Sequence, residues 1–263
     1  MKYWKNNTST LDQLKNIDGI NNPVEPELAE IAIIGGKPIN IDKMPNLKGI
    51  FKCGVGVDNV PFAEAKKRSI KICLPSESTK EIIFEETANF TTYLIMRMIY
   101  DQSGDFASWH KKSRSYLKDL KVLVIGQGNI GKKVKQKMEI FTKVLKFDIL
   151  DNQLSDLREI MNESDVVTLH IPLSRETEGF IDREKLSWLR DGAALVNTSR
   201  GPIVEEDALF DEINSGRIRA AFDVFWEEPY RGKLTCFEPH QFLMTPHVSS
   251  TCSNFIEAIK DSN

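Results

Sequence analysis

Cysteine is scarce in this chain, with four in 263 residues. Cys53, Cys73, Cys236 and Cys252 stand far apart, without the paired spacing of a metal or redox site. Neither a disulfide framework nor a metal centre is expected, and the four read as reduced thiols of a cytoplasmic protein. An excess of one charge is missing too: 35 basic against 38 acidic side chains leave a formal −3. That excludes a global electrostatic drive toward nucleic acid. The densest basic run, Lys132, Lys133, Lys135 and Lys137, falls on the outer side of an expected helix and reads as a solvated face. No apolar run approaches a membrane span, and the Lys- and Asn-rich N-terminus lacks the apolar core of a signal peptide. Internal repeats are absent. The length allows a sizeable core and two domains.

Against this plain background one stretch stands out. Lys121 to Ile125 is a short apolar run that leads directly into Gly126-Gln127-Gly128-Asn129-Ile130-Gly131. Ile130, Val134, Met138 and Phe141 then recur at helical spacing, and a second apolar run, Val144 to Phe147, ends on Asp148. Strand, glycine turn, helix, strand and an acid about 20 residues on form the context that gives such a glycine pattern its meaning in dinucleotide binding. The first glycine permits the tight turn, the second lets backbone approach a pyrophosphate, and the third allows close helix–strand packing. Phosphates would sit on the helix N-terminus, where free amides and the helix dipole favour negative charge. Asp148 would bond the ribose hydroxyls and repel a 2'-phosphate. No arginine follows it in Ile149, Leu150 and Asp151, so NAD is expected over NADP.

Before this stretch, Ile31 to Ile34, Gly49 to Lys52 and Ile70 to Leu74 are strand candidates, and Gly54-Val55-Gly56-Val57-Asp58-Asn59 is a turn of bare backbone. Ser78 with Glu81 suggests a capping box that opens a helix through about Arg97. Polar residues from Tyr100 to Leu120 suggest an interdomain connection, so the expected domains are 1–98 with 251–263 and 99–250. After the glycine turn, strands and helices alternate as in a parallel α/β sheet. Three apolar runs, Ala193 to Val196, Ala220 to Phe222 and Phe242 to Thr245, are followed by Arg200, Glu228 and His247 in turn. Ligand crevices of such sheets lie beyond the carboxyl ends of the strands, so these three side chains are candidates for one catalytic set. A histidine, with an ordinary pKa of about 6.5, exchanges protons near neutrality. A carboxylate partner would orient it and favour its protonated form. An arginine fork grips a carboxylate. Together they suit interconversion of a 2-hydroxy acid and a 2-oxo acid. His170, also at a strand end, is a rival for the proton.

With those motifs quoted, the chain resembles the D-isomer-specific 2-hydroxyacid dehydrogenases, the family of D-3-phosphoglycerate dehydrogenase, from about Ile31 to Ser253. Gly54 to Asn59 is similar to the family's substrate loop and Ser164 to Leu173 to the strand after the cofactor motif. Asn197-Thr198-Ser199-Arg200-Gly201, Asp223 to Pro229 and Thr245-Pro246-His247 match the segments that carry its arginine, glutamate and histidine. Glu228 rather than Glu227 matches because it directly precedes the proline. The resemblance implies substrate contacts at Gly54, Val55 and Gly56. It also implies cofactor contacts at Asn129, Ile130, Asp148, His170, Ile171, Pro172, Thr198, Ser199, Asp223 and Ser249, two Rossmann-like domains closing over a cleft, and a homodimer. Lys52 would meet a substrate phosphate, as in 3-phosphoglycerate, or stand solvated at a strand end. Trp226 would shape the pocket or simply pack.

Some features depart from the family pattern. Only one clear strand precedes Gly49, so most of the first βα unit is expected to be reduced. Between Asp148 and Asp165 there is room for a short helix, Leu154 to Met161, but hardly for the usual strand. The last helix is expected to be cut short. An enzyme is the first expectation. The second is a shortened relative that holds NAD(H) as a sensor or scaffold, as the corepressors resembling this family do.

Overall fold

A computed structural model describes residues 1–6, 23–101 and 103–261. By packing, the chain forms two compact units, residues 1–86 with 250–263 and residues 87–249. The first holds a four-stranded parallel sheet of β1 (Tyr3–Lys5), β2 (Ile31–Ile34), β3 (Gly49–Lys52) and β4 (Lys71–Cys73), side by side in chain order. The first strand corrects the expected loss: Tyr3 pairs with Ile31 and Lys5 with Ile33. Three half-buried residues, Tyr-Trp-Lys, carry too weak a pattern to be read as a strand alone. The segment joining β1 to β2 lies largely outside the described residues. Helix α1 (Phe62–Lys67) connects β3 to β4, and Ile33, Phe51 and Ile83 share a cluster with Phe255, Ile256 and Ile259 of the C-terminal helix, Ser253–Asp261.

Helix α2 (Glu77–Tyr100) starts two residues earlier than a capping box at Ser78 and Glu81 suggests. Its cap is Ser76, not Ser78. The Ser76 carbonyl accepts the first helical bond from Lys80 N, and its hydroxyl accepts from Thr79 N at 3.2 Å. The division between the units falls inside this helix, between Glu86 and Thr87, whereas the polarity change at Tyr100 suggested a later point. Packing decides it: Ile83 belongs to the small unit's core, while Ala88, Leu94, Ile95 and Met98 belong to the large unit's.

In the large unit a short hairpin, β5 (Gly104–Asp105) with β6 (His110–Lys111), precedes a six-stranded sheet. Along the chain come β7 (Lys121–Ile125), α3 (Asn129–Met138), β8 (Lys143–Phe147), α4 (Leu157–Asn162), β9 (Val166–Leu169), α5 (Arg183–Ser187), β10 (Ala194–Asn197), α6 (Glu206–Asn214), β11 (Arg219–Phe222) and β12 (Phe242–Met244). The order across the sheet is β12-β11-β10-β9-β7-β8, and every pair is parallel. Only a turn and α4 separate β8 from β9, as the short sequence between Asp148 and Asp165 requires. Parallel strands covered on both faces read as continuous apolar runs. Accordingly Val122 and Val124 pack with Val134 and Met138 of α3 and with α2, while Leu123 and Ile125 point into the opposite cluster with Leu195 and Phe222. This is the expected α/β parallel-sheet fold. Among the described residues, no helix is long and apolar enough to cross a membrane.

The cap assignment has a direct check. Ser76→Ala should destabilise the protein by about 1 kcal/mol in urea unfolding. Ser78→Ala should change stability by less than about 0.5 kcal/mol.

Candidate active site

All the sequence-selected residues of the large unit follow the carboxyl ends of its parallel strands. The glycine turn follows β7, Asp148 follows β8, and His170, Ile171 and Pro172 follow β9. β7 is also where the sheet reverses its direction of growth, since β8 lies on one side of it and β9 on the other. Such a switch point opens a ligand crevice. The three glycines differ physically. Gly126 has φ of +94°, and a Cβ there would lie 2.6 Å from the His170 carbonyl oxygen. A Cβ on Gly131 would lie 2.0 Å from the Gly126 oxygen. Gly128 has neither problem: an added Cβ would meet nothing within 4 Å, and the residue is exposed. Nothing in the fold therefore requires glycine at 128, and the open space matches a backbone that must admit a phosphate. Gly128 caps α3 without a side chain, leaving the first-turn amides no side-chain acceptor at the cap. Asp148 is half-buried beside the turn. Its Oδ2 accepts from Gln127 N at 2.7 Å and its Oδ1 from Leu150 N at 3.0 Å. His170 packs beneath the glycines, with Nε2 3.0 Å from the Thr168 hydroxyl. Burial holds its imidazole down to about 3, so it is neutral and unsuited to rival His247 as an acid near neutrality.

Arg200, Glu228 and His247 follow β10, β11 and β12, three adjacent strands. Each loop is held by buried polar groups. The Asn197 side chain accepts from Ser199 N at 3.0 Å and donates to the Arg200 carbonyl at 2.8 Å, wrapping the Thr198–Arg200 turn. Thr91 donates its hydroxyl to the Thr87 carbonyl, so in the 2.8 Å Thr198–Thr91 contact Thr198 is the donor. Ser199 Oγ donates to the Ile171 carbonyl, and Arg200 Nη1 to the Ser199 carbonyl at 2.7 Å. Gly201 brings this loop against the next one, because a Cβ there would lie 2.1 Å from the Phe225 carbonyl carbon. Glu228 is bonded to His247 Nδ1 through both oxygens, at 2.8 and 3.0 Å. Burial alone would raise the Glu228 carboxyl, but the bond and charge of His247, the Phe225 amide and the charge of Arg200 outweigh it and hold it below the usual range. An ionised carboxylate only accepts, so Nδ1 carries a proton. His247 has φ of +53°, an uncommon conformation for a residue with a side chain. Asp223 holds its surroundings. Fully buried, its Oδ1 accepts from Thr245 Oγ1 (2.6 Å) and Val248 N (2.9 Å), and its Oδ2 from Ser249 N (2.8 Å).

Comparison with known proteins identifies the family. Residues 95–249 match the NAD binding domain of the D-isomer specific 2-hydroxyacid dehydrogenases, and residues 36–87 match their catalytic domain. The chain belongs to this family. It is 31% identical to the glycerate dehydrogenase of Methylorubrum extorquens over 89% of its own length and 80% of that protein's. It is likewise 31% identical to the hydroxypyruvate reductase of Thermotoga maritima, over 80% and 73%. The crystal structure of the TT0316 protein from Thermus thermophilus superposes with a TM-score of 0.78 at 26% identity, over 99% of this chain and 94% of that one.

The dehydrogenase departs from its sequence reading at Lys52 and meets one of the two alternatives at Trp226. Lys52 is not solvated at a strand end. It is 2% exposed, and its Nζ donates to the Gly35 carbonyl (2.5 Å) and to Asn59 Oδ1 (2.9 Å). Trp226 packs: it stacks on Phe222 and donates Nε1 to the Val204 carbonyl at 2.7 Å. The holding roles of Asn197, Thr91 and Gly201 were not legible. Each depends on what lies across a loop, and no local pattern reports that. The glycines yield a prediction. Gly128→Ala should leave stability within about 0.5 kcal/mol yet weaken NADH binding, read by nicotinamide fluorescence, at least about tenfold. Gly131→Ala should destabilise by more than about 2 kcal/mol.

Proposed function

We propose that this NAD-dependent 2-hydroxyacid dehydrogenase acts on a small, unphosphorylated acid of the glycerate and glycolate kind, interconverting it with its 2-oxo acid. Arg200, Glu228 and His247 carry the chemistry. The observation that supports this most is the two-oxygen contact of Glu228 with His247 Nδ1, in a loop that Gly201 lets press against the one bearing Arg200. Gly126, Gly128, Gly131 and the first turn of α3 would hold the pyrophosphate of NAD, and Asp148 the ribose hydroxyls. Further contacts belong to Asn129, Ile130, Ile171, Thr198, Ser199, Asp223 and Ser249. Bound there, the nicotinamide supplies hydride transfer.

The residues do the rest. Arg200 grips the substrate carboxylate through its planar fork and polarises the adjacent carbonyl. In reduction His247 Nε2 gives its proton to the carbonyl oxygen, and in oxidation it takes the hydroxyl proton. Glu228 keeps the Nδ1 proton in place throughout, fixing the tautomer. Gly54, Val55 and Gly56 receive the carboxylate on backbone N–H groups. A phosphate-bearing acid is not favoured, since the Lys52 ammonium is engaged within its own unit. The names of the relatives, glycerate dehydrogenase and hydroxypyruvate reductase, favour the same small substrates. The reading includes a cytoplasmic homodimer. Phe106 and Trp109, packed edge to face on the β5–β6 hairpin and largely exposed, are candidates for its face, and sedimentation velocity tests that assembly.

Purified protein with NADH should turn over glyoxylate or hydroxypyruvate in preference to 3-phosphohydroxypyruvate, followed at the nicotinamide absorbance. His247→Ala should lower kcat/KM by about 10³-fold while NADH affinity stays within about twofold, because general acid catalysis acts on the substrate. Tight NADH binding with no 2-oxo acid reduced would leave the sensor or scaffold role in its place.

A further inference from the structure

The small unit buries a lysine, a residue almost never found inside without partners. Lys52 ends β3, immediately before Cys53 and the Gly54–Asp58 turn, and Asn59 stands on the far side of that turn. The two flanks are bonded to each other across its base, Lys52 Nζ to Asn59 Oδ1 at 2.9 Å. Both reach the loop that follows β2. Lys52 donates to the Gly35 carbonyl at 2.5 Å, and Asn59 Nδ2 donates to the carbonyls of Gly35 at 2.8 Å and Lys37 at 2.6 Å. Asn6, just past β1, ties the same loop, accepting from Gly35 N at 2.8 Å and donating to the Lys37 carbonyl at 2.9 Å. Three side chains, from the end of β3, the far side of its turn and the residue after β1, thus converge on residues 35–37. Together they restrain the turn without using any atom of Gly54, Val55 or Gly56. Gly54 itself is left open, since an added Cβ would meet nothing within 4 Å.

An ammonium is an expensive way to fill this space, because desolvating it costs several kcal/mol before its hydrogen bonds are counted. An aliphatic side chain would pack there at less cost but could not bond Asn59. The charge is also felt at the start of the turn. Burial pushes the Cys53 thiol up to about 12, and Lys52 pulls in the opposite direction. We propose that Lys52 is a positioning residue: through Asn59 and the Gly35 carbonyl it sets the backbone of Gly54–Gly56, the loop that receives the substrate carboxylate, which rests on the function proposed above.

The test pairs kinetics with amide hydrogen exchange on the full chain. Lys52→Met and Asn59→Ala should each raise KM for the 2-oxo acid about tenfold, the effect of about 1.4 kcal/mol, with kcat and NADH affinity within about twofold. Lys52→Arg, which keeps a charged donor, should recover most of KM. Exchange across residues 53–60 should quicken about tenfold in Lys52→Met, with the six-stranded sheet unchanged. A lowered melting temperature with KM and loop exchange both unchanged overturns the proposal and makes Lys52 a packing residue. Faster exchange with unchanged KM overturns its link to substrate. Should Lys52→Met fail to fold, Asn59→Ala decides by the same two readouts, since it leaves the lysine in place. Wild-type protein that reduces no 2-oxo acid would sink the proposed function instead, and the exchange rates would still decide whether Lys52 restrains the turn.

Discussion

Parallel hydrogen bonding is the constraint on which the large unit depends. Six strands running the same way must each return by a crossover, so all six end on one edge of the sheet. That edge collects the glycine turn, Asp148, His170, Arg200, Glu228 and His247 from positions scattered over more than a hundred residues of chain. An antiparallel sheet would have put alternate loops on the opposite edge. Because the central strands are buried on both faces, their register is strongly specified, and a one-residue slip would exchange the two cores on either side.

Within that frame the site is held by polar groups that never meet the substrate in the proposed chemistry. Asp223 has no exposure, and three donors converge on its carboxylate from the loop around His247. Such a network is costly if half made and rigid when complete. Its completeness is what allows a non-glycine residue, His247, to keep a left-handed backbone. Asn197 does the same for the turn bearing Arg200. Glycine acts by absence: at Gly131 and Gly201 there is no room for a Cβ, while at Gly128 there is room that the fold itself leaves empty.

Much of this was legible in advance. The runs Lys121 to Ile125 and Val166 to Leu169 are apolar but for Lys121 and Thr168, and both are strands with those bounds. Continuous burial leaves few other choices for short β-branched segments. The glycine turn, the acid after the next strand and the family motifs pointed to NAD and to a 2-hydroxyacid dehydrogenase. Elements with a mixed pattern were harder. Tyr3–Lys5 became a strand only because Ile31–Ile33 lies beside it, and the cap of the long helix moved from Ser78 to Ser76 because the hydroxyl that reaches a free amide depends on the path of the entering chain. Lys52 misled for the same reason: a lysine is ordinarily solvated, and the Gly35 carbonyl after β2 and Asn59 across the turn after β3 help make its burial tolerable.

The amino-acid order by itself determined most of the strand and helix pattern, the class of cofactor and the identities of the acid–base candidates, because periodicity, glycine spacing and side-chain chemistry are local properties. Tertiary structure alone decided which partners those side chains have. Glu228 meets His247, Thr198 meets Thr91 and Lys52 meets Asn59 through contacts made after the sheets assemble, and hydrogen bonds between loops depend on distances that no stretch of sequence contains.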